Sequence, residues 1–262
     1  MAQAVEANLF SFFSNLKTWP RVAVHDDDEC CWTISDLPFP LFNSVMHARA
    51  SAGSIDALID ARVAACEARH VPMLWWTGPS TTPDDLGDRL DRRGFLFEPS
   101  HGMVADLRQT LAPAPAATSL TIEDVDNTAT LRSWCRVLCE SFGAPQPFGD
   151  AFMELATAIG LDARSLFRHF LARLDGEPVA TCSMFLGAGV AGIYDVSTIP
   201  ERRRQGIGRA ITAAAMCEAR AVGCRTAILH SSTQGSGVYR SLGFTDVCDI
   251  GQFVWVPQGF RR

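Results

Sequence analysis

The 262-residue chain is 47% hydrophobic, enough apolar material for a sizeable core and a length comfortable for two domains. A formal net charge of −6 argues against a nucleic-acid surface and leans toward a cationic substrate. No run approaches the ~20 apolar residues of a membrane span, residues 1–19 lack the order of a secretory signal, and nine cysteines without a Cys-x-x-Cys pair fit a reduced, cytoplasmic protein.

In chain order, strands are expected near 21–24, 29–34 and 43–48. A helix over 54–69 follows with Ser54 as N-cap, then a buried strand at 71–76, a short helix at 84–93 and a hairpin at 95–107. The Ala/Pro stretch over 111–118 reads as an interdomain linker. The boundaries expected are a first domain over 1–112, a linker over 113–118 and a second domain over 119–262. The second part opens with a strand at 119–123 and a helix at 128–142. Cys135 and Cys139 stand i, i+4 on that helix but lack a His or Cys partner pattern, so core packing, and no metal, is the expectation. A Gly/Pro loop leads to a helix near 151–159. Strands at 168–174, 178–186 and 190–199 come next, then a helix at 207–221. A strand at 226–231, a short helix at 238–242 and strand material over 244–256 close the chain.

Ala65-Cys66-Glu67-Ala68-Arg69 is similar to Met216-Cys217-Glu218-Ala219-Arg220, and Arg93-Gly94-Phe95 to Leu242-Gly243-Phe244, at nearly the same offset. Both copies run helix, strand, loop, short helix, Gly-Phe, which points to duplication. At that offset Arg203, Gly206 and Gly208 fall opposite Ala52, Ile55 and Ala57. One half should do chemistry, and the other should shape or shield it.

Residues 203–209 read Arg-Arg-Gln-Gly-Ile-Gly-Arg between a strand-like and a helix-like run. A turn of this kind offers unpaired backbone N–H groups at the positive end of a helix dipole, an anion site. Gly206 and Gly208 let a phosphate approach the backbone, and the arginines add charge-assisted hydrogen bonds.

The segment from Val196 through Gly208 resembles motif A of the GNAT acetyltransferase superfamily, whose loop signature is Q/R-x-x-G-x-G/A. Val238-Tyr239-Arg240-Ser241-Leu242-Gly243-Phe244 resembles the Y-x-x-x-G-F element that closes the same fold. The likeness covers about 118–256. It implies an α/β (α+β) architecture of tandem GNAT-like lobes, the first degenerate, each a mixed, mostly antiparallel twisted sheet flanked by helices. It also implies acetyl-CoA as donor: backbone of Val196 and Thr198 on the pantetheine arm, and the turn Arg203, Arg204, Gln205, Gly206, Ile207, Gly208 and Arg209 on the pyrophosphate. Tyr239 would be the general acid for the departing thiolate. Asp195 is expected to orient or deprotonate the amine, with strand alternation, or a bulge that reverses it, deciding whether it faces the cleft. His230 is a second possible base. Between the first two helices of this part, Glu140, Phe142, Phe148 and Asp150 are expected, with Asp195, to line the acceptor pocket, carboxylates beside aromatic faces suiting a cationic amine. Residues 37–43 and 75–79 are similar to stretches of the two-lobed kasugamycin 2'-N-acetyltransferases, which implies a small-molecule aminoglycoside or aminocyclitol acceptor and a role in antibiotic resistance. A polyamine, an amino acid or a peptide N-terminus are the other acceptors, and an acetyl-CoA-binding regulator without turnover is the rival class. A monomer or homodimer is expected, with no nucleic-acid or membrane partner.

Overall fold

The computed structural model describes residues 1–109, 119–162 and 164–260; the expected linker lies outside them. A first helix, α1 (Ala2–Asn15), precedes strands β1 (Val22–Asp26), β2 (Cys31–Ser35) and β3 (Ser44–Met46). Helix α2 (Ile55–Arg69), β4 (Met73–Thr77), α3 (Leu86–Asp91) and β5 (Leu96–Asp106) complete the front half. The second half runs β6 (Leu120–Asp124), α4 (Thr128–Phe142), α5 (Gln146–Ile159), β7 (Phe167–Leu174), β8 (Glu177–Gly187) and β9 (Val190–Thr198). It continues through α6 (Ile207–Ala221), β10 (Thr226–Ser231), α7 (Ser236–Arg240) and β11 (Thr245–Trp255).

Among the described residues eleven strands form one sheet in the order β1-β2-β3-β4-β11-β5-β10-β9-β8-β7-β6. Neighbours are antiparallel except β3/β4 and β9/β10. These two parallel pairs are joined by the crossover helices α2 and α6, as parallel pairing requires. The order of elements recurs along the chain: β1-β2-β3-α2-β4-α3-β5 is followed, after β6, α4 and α5, by β7-β8-β9-α6-β10-α7-β11. The last strand of each repeat is exchanged. β5 pairs with β10, β11 pairs with β4, and the two pair with each other between them.

The segment expected as a hairpin at 95–107 is a single strand, β5. Pro99 is accommodated because β10 borders only 101–106, so at Pro99 the strand has a neighbour on one side only. Gly102 is where α1 crosses: a Cβ there would meet Val5 and the Cys248 thiol. Helix α1 has no counterpart among the expected elements, since Ala4, Phe10 and Phe12 blur its apolar stripe and Glu6 and Asn8 are buried within it. Helix α5 begins five residues before the expected start, with Pro147 in its first turn, where a missing N–H costs nothing. Ser54 precedes α2 but does not cap it; its hydroxyl bonds with Ser51 instead.

Helices α1, α4 and α5 cover one face of the second half, burying Phe13, Trp134, Phe152, Phe167 and Phe185. Helix α6 covers the other with Ile207, Ile211, Ala215 and Met216. Each fully buried aromatic or aliphatic side chain contributes roughly 1.5–3 kcal/mol, so both faces are firmly held and leave the sheet edge between β9 and β10 as the place for a cleft. Among the described residues no helix is long and apolar enough to cross a membrane.

Candidate active site

Strands β9 and β10 pair from Ala191–Ala227 to Ile193–Leu229 and then separate. At the same level β9 slips against β8: Tyr194 is opposite Ser183 and Ser197 opposite Thr181, so Asp195 and Val196 together face Cys182. This is a β-bulge, and Asp195 sits in it with φ +52°. A left-handed non-glycine residue costs about 1–3 kcal/mol and is retained where its surroundings fix it. Thr181 Oγ1 does so here, donating to the Asp195 carbonyl at 2.7 Å. The bulge reverses the strand's parity. Tyr194 packs on the α1/α4 face, the Asp195 carboxyl comes close to Ser183 on that same face, and Val196 turns to the α6 face.

The Asp195 residue is half-buried, yet its Oδ2 is enclosed without a hydrogen-bond partner among the described residues. Desolvation raises the carboxyl to about 6, and the Ser183 hydroxyl opposes that rise. A base with this affinity is largely ionised at pH 7 and still able to hold a proton. His230, on the adjoining strand, lies 5.9 Å from Trp76 and 6.0 Å from Tyr194, ring centre to ring centre. Its Nε2 is enclosed without a partner among the described residues, and burial lowers the ring to about 4, with the Val5 backbone opposing that fall. It is a neutral imidazole under α1.

Beyond the bulge the chain passes Arg204 (φ +64°) and Gly206 (φ +79°) into α6, and Gly206 is the N-cap with no side-chain cap bond. The first-turn amides of α6 are thus left to an outside acceptor. A groove of about 840 Å³ opens over this turn. Val196, Thr198, Arg203, Arg204, Gly206, Ile207, Gly208, Arg209, Phe142 and Tyr239 all line it. Gln205 does not; its amide points back toward the Glu201 carbonyl. Arg203 is engaged within the wall, Nε donating to the Thr198 carbonyl (3.1 Å) and Nη2 to that of Ser141 (2.8 Å). Arg209 donates to Ser241 through Nε, while its Nη1 is enclosed and unpartnered among the described residues. Tyr239 packs edge-on against Phe244 at 6.0 Å, and burial raises its pKa, so it is a protonated phenol at neutral pH. Asp195 is not in the groove wall. It lies behind Val196, on the opposite face of the same strand separation.

The acceptor residues expected from sequence are not gathered in one place. Glu140 pairs with Arg136 and Asp150 accepts from Gln146, both at exposed positions on their own helices. Phe148 packs against Phe39, Phe42 and Phe152, part of an aromatic contact between the halves. Phe142 is 62% exposed at the groove. Two polar residues were not anticipated: His169 and Ser183, direct cross-strand partners on β7 and β8 beneath Asp195. Their signal is polar side chains on the inward face of otherwise apolar strands.

In the front half the matching separation of β3 and β4 is closed. After β4 the chain returns, Thr82 N donates to the Ala48 carbonyl at 2.9 Å, and Arg49 bridges Thr82. Backbone fills the space that stays open in the second half.

Residues 131–244, from α4 to Phe244, match the acetyltransferase (GNAT) family. No match is found among curated proteins. The fold is similar to that of a GCN5-related N-acetyltransferase from Kribbella flavida (TM-score 0.72, 17% identity, 98% of this chain and 96% of that one). It is also similar to a GCN5-related N-acetyltransferase from Sphaerobacter thermophilus (0.69, 17%, 100% and 93%). A protein of unknown function from Staphylococcus epidermidis shares it as well (0.64, 13%, 89% and 93%). The family match covers the groove-bearing segment, and the likeness of fold extends over nearly the whole chain.

Proposed function

We propose that the protein moves an acetyl group from acetyl-CoA to a primary amine of a small cationic acceptor, of the aminoglycoside or aminocyclitol class to which kasugamycin belongs. The observation that carries this reading is the pairing of a glycine-capped helix groove with a buried carboxylate at one strand separation. The groove residues suit a phosphorylated, elongated ligand: unpaired first-turn amides, Gly206 without a Cβ, and the arginines around them. Acetyl-CoA bound there supplies an activated thioester.

An amine of pKa near 10 is about 99.9% protonated at neutral pH, and only its neutral form attacks a thioester. Asp195 accepts that proton, directly or through water. It also holds the ammonium by its charge in a poorly hydrated place. Tyr239, a phenol at the groove, donates a proton to the leaving sulfur. Backbone N–H groups of the separated β9 edge polarise the carbonyl as negative charge builds on its oxygen. The acidic net charge favours approach of a polycationic amine.

Release of free thiol from acetyl-CoA, followed over a panel of aminoglycosides, polyamines, amino acids and peptides, tests the reading. Turnover with kasugamycin or another aminoglycoside and little with peptides is expected. A protein that binds acetyl-CoA yet releases no thiol with any amine overturns it.

A further inference from the structure

Beneath the bulge lies a polar chain that the reaction outlined above does not use. His169 is 2% exposed and fully enclosed by apolar rings, with Trp134 at 4.8 Å and Phe167 at 4.4 Å. Its Nδ1 is 2.8 Å from Ser183 Oγ, and Ser183 is paired across the β8/β9 ladder with Tyr194, the neighbour of Asp195, its hydroxyl near enough to lower the Asp195 carboxyl. Ser183 is 0% exposed, so neither hydroxyl nor ring has water to turn to. A buried imidazole and a buried hydroxyl on neighbouring strands are costly when half satisfied and unneeded for packing. They form a line that ends on the one carboxylate the bulge turns inward.

We propose that His169 and Ser183 are positioning residues for Asp195: the neutral imidazole donates from Nδ1–H to Ser183 Oγ, which fixes the hydroxyl so that its own hydrogen points to the carboxylate. The direction of the chain follows from its end. An ionised carboxylate only accepts, so Ser183 must donate to it, and the serine oxygen is left to accept from the imidazole. This assigns the Nδ1–H tautomer and leaves Nε2 as the lone-pair atom, which is the ring nitrogen without a partner among the described residues. Burial holds His169 near 3, so the ring stays neutral throughout the working range. The other groups around Asp195 are Cys135 on α4, Cys182 on β8 and Tyr194 beside it, with His230 on β10 and Asn8 on α1 reached through Tyr194. The thiols and phenol have pKa values raised by burial and the imidazole is lowered, so all are neutral near pH 6. The serine hydroxyl is then the one neighbouring group placed to stabilise the ionised carboxylate.

This inference rests on the reading of Asp195 as the proton acceptor, but its test needs no turnover. The Asp195 carboxyl is titrated by ¹³C NMR in the full chain and in Ser183→Ala, His169→Leu and His169→Asn, and the His169 tautomer is read from ¹⁵N shifts in the wild type. Loss of one hydrogen bond should raise the Asp195 midpoint by about 0.5–1 pH unit in Ser183→Ala. His169→Leu should move it the same way by less. His169→Asn, whose amide nitrogen replaces Nδ1, should restore it. The acid limb of kcat/KM should shift in parallel. An unmoved midpoint in folded Ser183→Ala overturns the assignment, and so does an Nε2–H tautomer in the wild type, a readout that needs no variant to fold. If Asp195→Asn keeps full activity, it is instead the role of Asp195 in the reaction that fails.

Discussion

Asn8 and Tyr194 are 186 residues apart in sequence, and the tyrosine hydroxyl donates to Asn8 Oδ1 at 2.7 Å. The Asn8 amide in turn donates to the carbonyls of Phe185 (3.4 Å), Gly187 (2.9 Å) and Val190 (3.4 Å), the turn joining β8 to β9. One side chain of α1 thereby fixes the hairpin that carries the bulge. Gly192 leaves room for it, since a Cβ there would collide with Asn8 Oδ1. Asn8→Ala strands several polar groups away from water and should cost about 2–4 kcal/mol. Tyr194→Phe, which orphans one acceptor, should cost about 1 kcal/mol. Urea unfolding monitored by circular dichroism measures both; equal stability of Asn8→Ala and wild type would show that α1 is not the anchor.

Asp195 should cost stability to provide reactivity. Its carboxyl is raised to about 6 from an ordinary 3.8, so between those values the folded state binds more protons than the unfolded one. Stability contributed by this group is therefore lost as pH rises through the window, and the full penalty persists above pH 6. Asp195→Asn removes it. That variant should exceed wild type by on the order of 2 kcal/mol at pH 7.5, with the difference vanishing below about pH 4. Its turnover should fall by roughly 10²–10⁴-fold, the usual worth of a positioned base. Denaturant curves at the two pH values, beside the thiol-release rate, check both signs. A variant less stable than wild type at pH 7.5 would contradict the burial argument.

The two glycines of the turn should separate backbone geometry from ligand clearance. Gly206 has φ +79°, so Gly206→Val should lower stability by about 1–2 kcal/mol and lose coenzyme A binding together. At Gly208 a Cβ meets only Thr198 Oγ1 at 3.7 Å, an ordinary contact, and the residue is already helical. Gly208→Ala should thus keep or slightly raise stability while Gly208→Val lowers affinity by crowding the groove. Calorimetric titration with coenzyme A, alongside thermal unfolding, distinguishes the two. Undiminished affinity in both valine variants would move the diphosphate elsewhere.

The turn was legible because its glycines sit between a strand and a helix of unmistakable periodicity. The fold class was legible for the same reason, and the expected helices over 128–142 and 207–221 coincide with α4 and α6. The bulge was not. Parity along β9 changes through one residue, Asp195, whose positive φ leaves no mark in residue type. Nor was the acceptor side: Phe148 has the composition of a ligand-facing aromatic, but its partners Phe39 and Phe42 come from the other half of the chain. Helix α1 escaped notice because its buried Glu6 and Asn8 bond distant backbone, Ser80 N in one case and the β8–β9 turn in the other.

Least legible of all was the exchange of β5 and β11. Both follow a Gly-Phe step and are apolar enough to lie mid-sheet, and side-chain alternation does not say which neighbour each will take. The exchange carries a consequence for the two domains proposed over 1–112 and 119–262. Expressed alone, either half leaves an interior strand with an open edge, β4 in one and β10 in the other, unless its own last strand folds back. The β5/β11 ladder from Leu96–Val254 to Val104–Thr245 is also lost in both. The halves should therefore aggregate or self-associate when made separately and co-purify as one complex when made together, as size-exclusion chromatography with light scattering would show. Two soluble monomeric halves that ignore each other would mean that each repeat takes back its own strand, and that the exchange adds little to the stability of the chain.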